Sequence, residues 1–279
     1  MKILDGKSLA NEIKKEVKEK IDASGAGISL AVLQVGDNSA SSTYVSNKEK
    51  ACIYCGITPK IFKLKEDIST KELCWLIKEL NLDSSISGIL VQLPLPSHLD
   101  EYEILQTIDP SKDVDGFNEI NIGKMYVGEK TFIPCTAKGI IRLLEANDVK
   151  IEGKNCVVVG RSNIVGKPVA MELLHNNGTV TICHSKTHKL KEVCRNADIL
   201  ICAIGKPKFF NKEYIKEGAV VIDVGIHRLE DGSLCGDVDF EDIKGIVSAA
   251  SPVPGGVGPM TVAMLMENCI EANDELAAR

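Results

Sequence analysis

The sequence predicts an α/β fold with two domains, because apolar runs of strand length alternate with stretches of helical period along the chain. Such alternation is typical of mostly parallel sheets that are covered by helices. The chain has 279 residues, of which 44% are hydrophobic and 26% are charged. That length and that balance fit a globular protein with room for substantial cores.

The first half of the chain predicts helices and strands in alternation. The helices are predicted over residues 8–21, 42–55 and 70–80, and the strands over residues 28–35, 58–64 and 88–93. Residues 109–135 interrupt this rhythm with turn formers, such as Asp109-Pro110 and Asp115-Gly116. A further helix is predicted over residues 137–147.

The second half opens with a strand over residues 155–159, which runs into a glycine turn and then a helix. The turn has the spacing Gly-x-Ser-x-x-x-Gly from Gly160 to Gly166. In dinucleotide-binding proteins such a turn lets the backbone approach a pyrophosphate, whose charge the N–H groups at the helix start favour. Glycine turns that bind nothing are also common, so this turn alone leaves both interpretations open. Later strands are predicted over residues 179–183, 198–204, 219–224 and 246–249, and a last helix over residues 259–273.

We therefore predict two α/β domains flanking a cleft, which is a usual place for a ligand. The first domain is predicted over residues 1–136, together with a C-terminal helix at residues 259–279. The second, over residues 137–258, is predicted to be a Rossmann-like nucleotide-binding domain.

Charge and hydropathy argue against several classes of protein. The formal net charge is −6, and no cluster of basic residues with interleaved aromatic residues suggests a nucleic-acid partner. No apolar run approaches the ~20 residues of a membrane span, so we expect no membrane partner. Asp5 stands where a signal peptide would continue its apolar stretch, and we expect a cytoplasmic protein.

The ten cysteines raise the question of a metal site or of disulfides. Cys52 and Cys55 form a CxxC in a helix-like stretch, without a second pair. The other candidate group is Cys183, His184, His188 and Cys194, which spans the end of a strand and the loop after it. Reduced thiols that act as small core residues are the favoured interpretation of both groups. We expect no metal and, without export, no disulfides.

The loop after the second strand of the nucleotide-binding domain favours NADP over NAD. NAD-binding domains usually place an acidic residue here to hold the ribose 2′-hydroxyl. This chain instead has Ser185 and Lys186, whose side chains can donate to a phosphate. Arg161 in the glycine turn adds a guanidinium that can form a bidentate phosphate contact. The alternative, that all three are solvated loop residues, stays open at this point.

Three polar features of the first domain are candidate catalytic groups, although each alone has an ordinary structural explanation. Tyr44 and Lys48 lie four residues apart in a predicted helix and share a face, and a lysine beside a cleft can shuttle protons. Gln92 places an amide inside an otherwise apolar strand, where it needs a hydrogen-bond partner. Asp113 and Asp115 offer carboxylates that could accept hydrogen bonds from a substrate ring, but alone they indicate a plain Asp-Gly turn.

Together these segments resemble the bifunctional 5,10-methylenetetrahydrofolate dehydrogenase/methenyltetrahydrofolate cyclohydrolase family. The motifs follow in order over nearly the whole chain: YxxxK, GILVQLPLP, KDVDG, PCT, VVGRSNIVGKP, CHSKT and PVPGGVGPMT. The last, at residues 252–261, is the most distinctive, because three prolines and three glycines make a stiff loop that can approach a ligand closely. One departure is Ala137, where the family often has proline after PCT. It should alter local stiffness more than chemistry.

The resemblance implies NADP-dependent oxidation of 5,10-methylenetetrahydrofolate to the methenyl form, followed by hydrolysis to 10-formyltetrahydrofolate. It implies that Lys48 transfers protons in the hydrolysis, that Gln92 hydrogen-bonds this lysine, that Tyr44 packs against the folate and that Asp115 binds the pterin. In the 252–261 loop, we expect Pro254 and Gly255 to contact the substrate.

The resemblance also implies a coenzyme site and an assembly. The residues that would line the NADP site are Gly160, Arg161, Ser162, Ser185 and Ile226. The implied assembly is a homodimer, and no metal is needed for either reaction.

Three other classes stay open as alternatives. A shikimate-type dehydrogenase also joins a substrate domain to a later NADP domain, but its usual Asn-Val-Thr-x-Pro-x-Lys segment is absent. A short-chain dehydrogenase shares YxxxK, but there the glycine turn precedes that motif. A non-catalytic nucleotide-sensing module is disfavoured by the intact Lys48.

Overall fold

The computed structural model describes residues 1–37 and 39–277. The chain forms two compact units. The six-stranded unit comprises Met1–Ala10 and Thr136–Thr261, and the three-stranded unit comprises Asn11–Cys135 and the chain from Val262 onward. Each main sheet is parallel and packs against helices, so the predicted α/β class is confirmed.

The elements follow one another in the alternation that the sequence predicts. The strands are β1 (Lys2–Ile3), β2 (Ser29–Val35), β3 (Thr58–Leu64), β4 (Gly88–Val91), β5 (Asn155–Val159), β6 (Thr179–Cys183), β7 (Ile199–Cys202), β8 (Val220–Asp223), β9 (His227–Arg228), β10 (Leu234–Cys235) and β11 (Ala249–Ala250). The helices are α1 (Gly6–Ser24), α2 (Ser39–Cys55), α3 (Thr70–Leu82), α4 (Glu101–Thr107), α5 (Glu119–Val127), α6 (Cys135–Glu145), α7 (Gly166–His175), α8 (Leu190–Cys194), α9 (Phe240–Ile243) and α10 (Val257–Ala277), with a 3₁₀ helix at Lys212–Tyr214.

The three-stranded unit is built around β2, the central strand of the order β3-β2-β4. All seven residues of β2 are buried, which explains why this strand is a continuous apolar run in the sequence. Buried residues of α3 and α4, such as Leu73, Ile77 and Ile104, pack on the sheet in one core. Because the three strands are parallel, their carboxyl ends meet at one edge.

Helix α4 and the short strands β1, β9 and β10 were not predicted, and two further differences have physical reasons that the pattern hid. Residues 109–135 were expected to be turns, but they contain α5, which begins after the Asn118 cap and ends at Gly128 in the left-handed conformation. Its exposed apolar residues Ile120, Tyr126 and Val127 blur the helical period. The strand expected over residues 246–249 overlaps β11 only at Ala249, because residues 246 and 247 enter the core from a turn.

The six-stranded unit has the parallel strand order β1-β11-β8-β7-β5-β6. β1 pairs with β11 through Lys2 and Ala249, so the first residues of the chain belong to this sheet. The predicted first domain over residues 1–136 placed them in the other unit instead. β6, the next strand along the chain, pairs with one side of β5, and β7 pairs with the other side of β5. Such a switch between neighbouring strands opens a crevice at their carboxyl ends, where α/β proteins bind ligands.

None of the helices in residues 1–37 and 39–277 is long and apolar enough to span a membrane.

Candidate active site

Lys48 and Gln92 form a hydrogen-bonded pair in the three-stranded unit. Lys48 lies on α2, is only 9% exposed, and its Nζ donates to Gln92 Oε1 over 3.0 Å. The Gln92 Nε2 group donates to the Leu93 carbonyl oxygen over 2.6 Å, which turns Oε1 toward the lysine. A buried ammonium needs such a partner, because burial without one is costly. The pair therefore holds the Lys48 Nζ atom in a fixed position.

Gln92 lies one residue beyond the strand that was expected to contain it. β4 ends at Val91, and the Gln92 backbone N–H continues the ladder by donating to Leu33. Its side chain is partly buried at the carboxyl edge of the sheet. The prediction that this amide needs hydrogen-bond partners is confirmed, and the partners are Lys48 and the Leu93 carbonyl oxygen.

Of the two carboxylates in the KDVDG motif, the structure uses one for the local fold. Asp113 is buried, and its Oδ2 accepts from the Asn118 backbone N–H over 2.7 Å and from Asn121 Nδ2 over 2.9 Å. Burial raises the pKa of Asp113 to about 6. Asp113 thus fixes the start of α5.

Asp115 is electrostatically coupled to Lys48. Burial raises the pKa of the Asp115 carboxyl above its ordinary value, whereas the charge of Lys48 and a hydrogen bond from Cys135 lower it. The next residue, Gly116, has φ of 72°, and a Cβ there would lie 2.6 Å from the Phe132 carbonyl oxygen. Only glycine fits this turn, which directly follows Asp115.

Tyr44 lies one turn before Lys48 on α2, as the i, i+4 spacing predicts. Its ring is 40% exposed, and burial of the remainder raises the pKa of its phenol. A partly exposed ring one helical turn from Lys48 offers a flat apolar surface that a planar heterocycle could contact.

The cysteines of the two candidate groups are buried, and none of them forms a disulfide. Burial raises the pKa of Cys52 to about 12 and that of Cys194 to about 12, which keeps both as neutral thiols at ordinary pH. Within residues 1–37 and 39–277, no three His, Cys, Asp or Glu side chains lie together as a metal site would need.

The glycine turn of the six-stranded unit brings two loops into direct contact. Gly160 has φ of 137°, and a Cβ there would overlap the carbonyl oxygen of Ala203, in the loop after β7. A Cβ on Gly166 would overlap the Gly160 carbonyl oxygen, where α7 begins. Both positions therefore need glycine, and the turn between them runs into the N-terminus of α7, an arrangement that is typical of pyrophosphate-binding turns.

Three predicted coenzyme residues lie at the carboxyl edge of neighbouring strands. Arg161 and Ser162 follow β5, Ser185 follows β6, and all three are exposed. The two strands are paired through Val159 and Cys183, two residues before Arg161 and Ser185. Ser162 Oγ accepts from the backbone N–H groups of Val165 and Gly166 and shapes the start of α7.

The other predicted residues of this unit lie in the loops after β8 and before α10. Ile226 is 41% exposed, and a Cβ on Gly258 would lie 3.2 Å from its Cδ1. Pro254 is exposed, and the Gly255 carbonyl oxygen accepts from the Lys7 backbone N–H over 2.8 Å. Ala137, in place of the family's usual proline, is buried in the first turn of α6, where a proline is tolerated as well.

Asn268 is a buried residue of the three-stranded unit that sequence reasoning missed. From α10, its Nδ2 donates to the Val114 carbonyl oxygen over 2.8 Å and to the Ile133 carbonyl oxygen over 3.2 Å. It thereby ties the segment carrying Asp115 to the segment before Cys135. A single amide in a helix of apolar period gives the sequence no sign of these distant partners.

We expect Asn268→Leu to lower the free energy of unfolding by about 1–3 kcal/mol, because it leaves buried carbonyl oxygens without this donor. The measurement is urea unfolding, with the exposed Asn47→Leu on α2 as the control. An unchanged free energy of unfolding would show that the amide does not hold these segments.

Comparisons with known proteins agree along the whole chain. A family model described as tetrahydrofolate dehydrogenase/cyclohydrolase, catalytic domain, matches residues 4–115, and one described as its NAD(P)-binding domain matches residues 134–277. A bifunctional protein FolD from Agathobacter rectalis is 56% identical over 273 residues, 97% of this chain and 98% of the relative.

Solved structures of enzymes described as methylenetetrahydrofolate dehydrogenase/cyclohydrolase also resemble this chain. The bifunctional FolD enzyme from Campylobacter jejuni is 49% identical, covers 99% of both chains and superposes with a TM-score of 0.96. The FolD enzyme from Trypanosoma brucei, solved with NADP cofactor and inhibitor, is 35% identical with a TM-score of 0.94, over 99% of this chain and 98% of that chain.

The fold and the two groups of residues define a class, the α/β dehydrogenases that join a dinucleotide-binding unit to a unit with a buried, paired lysine. Within that class, the chain belongs to the tetrahydrofolate dehydrogenase/cyclohydrolase family. The predictions of a bifunctional folate enzyme and of NADP as its cofactor are confirmed. The shikimate-type, short-chain and sensing-module alternatives are thereby set aside.

Proposed function

We propose that the Lys48–Gln92 pair, coupled to Asp115, is the folate site for both reactions of this enzyme. The observation that carries the proposal is the 3.0 Å hydrogen bond from the buried Lys48 to Gln92. In this proposal Tyr44 packs against the folate ring, Asp115 accepts hydrogen bonds from the pterin nitrogens, and Pro254 and Gly255 contribute further substrate contacts. The experiment is turnover with methylenetetrahydrofolate and NADP, with NADPH and the methenyl product followed separately.

The dehydrogenase step needs position rather than acid–base chemistry from the protein. The methylene carbon loses a hydride and becomes a cationic methenyl carbon, and no proton moves in that step. Bound NADP supplies the hydride acceptor. The residues of the folate site therefore act by orienting the ring, since a well-placed pair of reactants gains most of its rate from proximity.

The cyclohydrolase step does need proton transfer. Water adds to the methenyl carbon and loses a proton, and a ring nitrogen gains one as the ring opens to 10-formyltetrahydrofolate. An amino group held next to this carbon can exchange both protons, and such catalysis contributes about 10²–10⁴ in rate. Lys48 is the residue proposed for this role, with Gln92 fixing the position of its Nζ atom.

The coenzyme site is proposed for the carboxyl edge of the six-stranded unit. Gly160, Ser162 and the start of α7 would hold the pyrophosphate, Arg161 and Ser185 the 2′-phosphate, and Ile226 the nicotinamide half. The support is the exposed position of Arg161, Ser162, Ser185 and Ile226 beside a switch between neighbouring strands. This division assigns the six-stranded unit, Met1–Ala10 and Thr136–Thr261, to the coenzyme. It assigns most of the folate site to the three-stranded unit, Asn11–Cys135 and the chain from Val262 onward.

We further propose a cytoplasmic homodimer. The described cysteines are free thiols, as is typical of a reducing compartment, and the family resemblance supports the dimer. Light scattering of the purified chain would measure the mass of the assembly. A monomeric mass would contradict the dimer.

We expect Arg161→Ala to weaken NADP binding by about 1.5–3 kcal/mol, the contribution of a charge-assisted hydrogen bond to a phosphate. NAD lacks the 2′-phosphate, so its use should change much less. The measurement is the KM for each coenzyme in the dehydrogenase assay. The control is Arg195→Ala, which removes an exposed arginine at the C-terminal end of α8. Equal losses with NADP and NAD would show that Arg161 does not read the 2′-phosphate.

A further inference from the structure

A buried carboxylate, Asp237, lies behind the carboxyl edge of the six-stranded sheet. Its side chain is 0% exposed. Its Oδ2 accepts from the backbone N–H groups of Ile204 and Gly205 over 2.7 and 3.0 Å, and its Oδ1 accepts from that of Lys206 over 2.8 Å. One carboxylate thus holds three consecutive N–H groups of the loop after β7. A charged acceptor makes each of these bonds stronger than a neutral one would be.

The same carboxylate reaches the loop after β8. His227 Nε2 lies 2.8 Å from Asp237 Oδ1, and His227 directly follows Ile226. On the other side of Ile226, a Cβ on Gly225 would overlap Asp237 Oδ1, so this position needs glycine. The residues on both sides of Ile226 therefore pack against Asp237, Gly225 with its backbone and His227 with its side chain.

The two loops that Asp237 holds are where a dinucleotide would bind. The loop after β7 touches the glycine turn, because a Cβ on Gly160 would overlap the Ala203 carbonyl oxygen. The glycine turn after β5 and the loop after β7 form the two walls of the crevice where the strand order switches between β5 and β7. The loop after β8, which carries Ile226, comes from the strand next to β7.

A second carboxylate fixes Asp237 itself. Asp223 Oδ1 accepts from the Asp237 backbone N–H over 2.8 Å, and Asp223 Oδ2 accepts from Val238 over 2.9 Å. A Cβ on Gly236 would overlap Asp223 Oδ2. The segment 236–238 is thus locked to the carboxyl end of β8, and Asp237 has little freedom to move.

We propose that Asp237 is a positioning residue for the coenzyme, holding residues 204–206 directly and Ile226 through His227 in the conformation that NADP binds. The inference rests on the coenzyme site proposed above. It assigns Asp237 no contact with substrate and no role in proton transfer. It also predicts that the hydrolysis of added methenyltetrahydrofolate, which needs no coenzyme, is independent of this residue.

The test is Asp237→Asn, which keeps the shape but places an NH₂ group against backbone N–H donors. We expect the Kd for NADPH, measured by fluorescence titration, and the KM for NADP each to rise about tenfold to hundredfold, as a small misplacement of a binding loop would cause. Cyclohydrolase activity on added methenyl substrate should stay within about twofold. Asp231→Asn, in the exposed turn before β10, removes the same charge and should change neither quantity. An unchanged Kd for NADPH in Asp237→Asn would overturn the proposal.

A milder pair of variants covers the case in which Asp237→Asn does not fold. His227→Gln keeps a donor that can reach Asp237, whereas His227→Leu removes it. We expect His227→Leu to raise the Kd for NADPH and His227→Gln to restore it, both with cyclohydrolase activity retained. Equal NADPH binding in the two variants would overturn the proposal. The titration contains no folate, so its result stands even where the assignment of the folate site fails.

Discussion

Lys48→Gln is expected to retain measurable NADP-dependent dehydrogenase activity while cyclohydrolase activity falls by about 10²–10⁴. Glutamine keeps most of the length of lysine and a hydrogen-bonding end that can still reach Gln92, but it cannot exchange a proton at ordinary pH. Hydride transfer needs only the position of the ring, so that step should survive. The methenyl product should therefore accumulate during turnover.

The measurement is the absorbance of methenyltetrahydrofolate during turnover, together with direct hydrolysis of added methenyl substrate. Lys50→Gln, an exposed lysine two residues along α2, is the matched control and should hydrolyse normally. Unimpaired hydrolysis in Lys48→Gln would remove Lys48 from the mechanism. Parallel loss of both activities would show that the ammonium is needed for the position of the folate.

Asp115→Ala has the second largest expected effect, a loss of about 10²-fold in both activities. Both reactions need the same placement of the ring, which we propose Asp115 provides. Asp113 is committed to Asn118 and Asn121, so it cannot replace Asp115. The measurement is kcat/KM for the dehydrogenase and for the hydrolysis of methenyltetrahydrofolate.

The control for this variant is Asp67→Ala, which removes an exposed carboxylate in the turn before α3. Both activities of Asp67→Ala should match those of the unchanged enzyme. A loss confined to one reaction in Asp115→Ala would mean that the residue has a chemical role in that step, which contradicts its assignment as an orienting group.

The sequence could predict the parts of the fold that depend on local pattern. The strand of residues 155–159, the glycine turn and α7 were predictable because burial on both faces and a tight turn both leave clear traces in residue type. The i, i+4 spacing of Tyr44 and Lys48 likewise follows from helix geometry alone. Helix α5 was missed because its exposed Ile120 and Tyr126 obscure the apolar period.

The groups that hold the sites in place could not be predicted from the sequence. Asp237 accepts hydrogen bonds from three residues that lie between 31 and 33 positions earlier in the chain. Asn268 donates a hydrogen bond to Val114, which is 154 positions away. A lone buried polar residue shows no periodicity, and its partners are backbone atoms, which every residue has. Such hydrogen bonds are fixed only when the strands of the sheet have been ordered. Even the choice between Asp113 and Asp115 needed the resemblance and then the geometry.

The central claim is that one chain oxidises methylenetetrahydrofolate with NADP and then hydrolyses the product at the Lys48–Gln92 pair. The most direct measurement is a time course of turnover by the unchanged enzyme, with NADPH and methenyltetrahydrofolate followed separately. We expect reduced coenzyme to form steadily with NADP, as NADPH, and far more slowly with NAD, as NADH, while the methenyl form stays low because it is hydrolysed as it forms. NADPH formation with methenyl product accumulating in full would contradict the hydrolytic role, and no NADPH formation would contradict the claim as a whole.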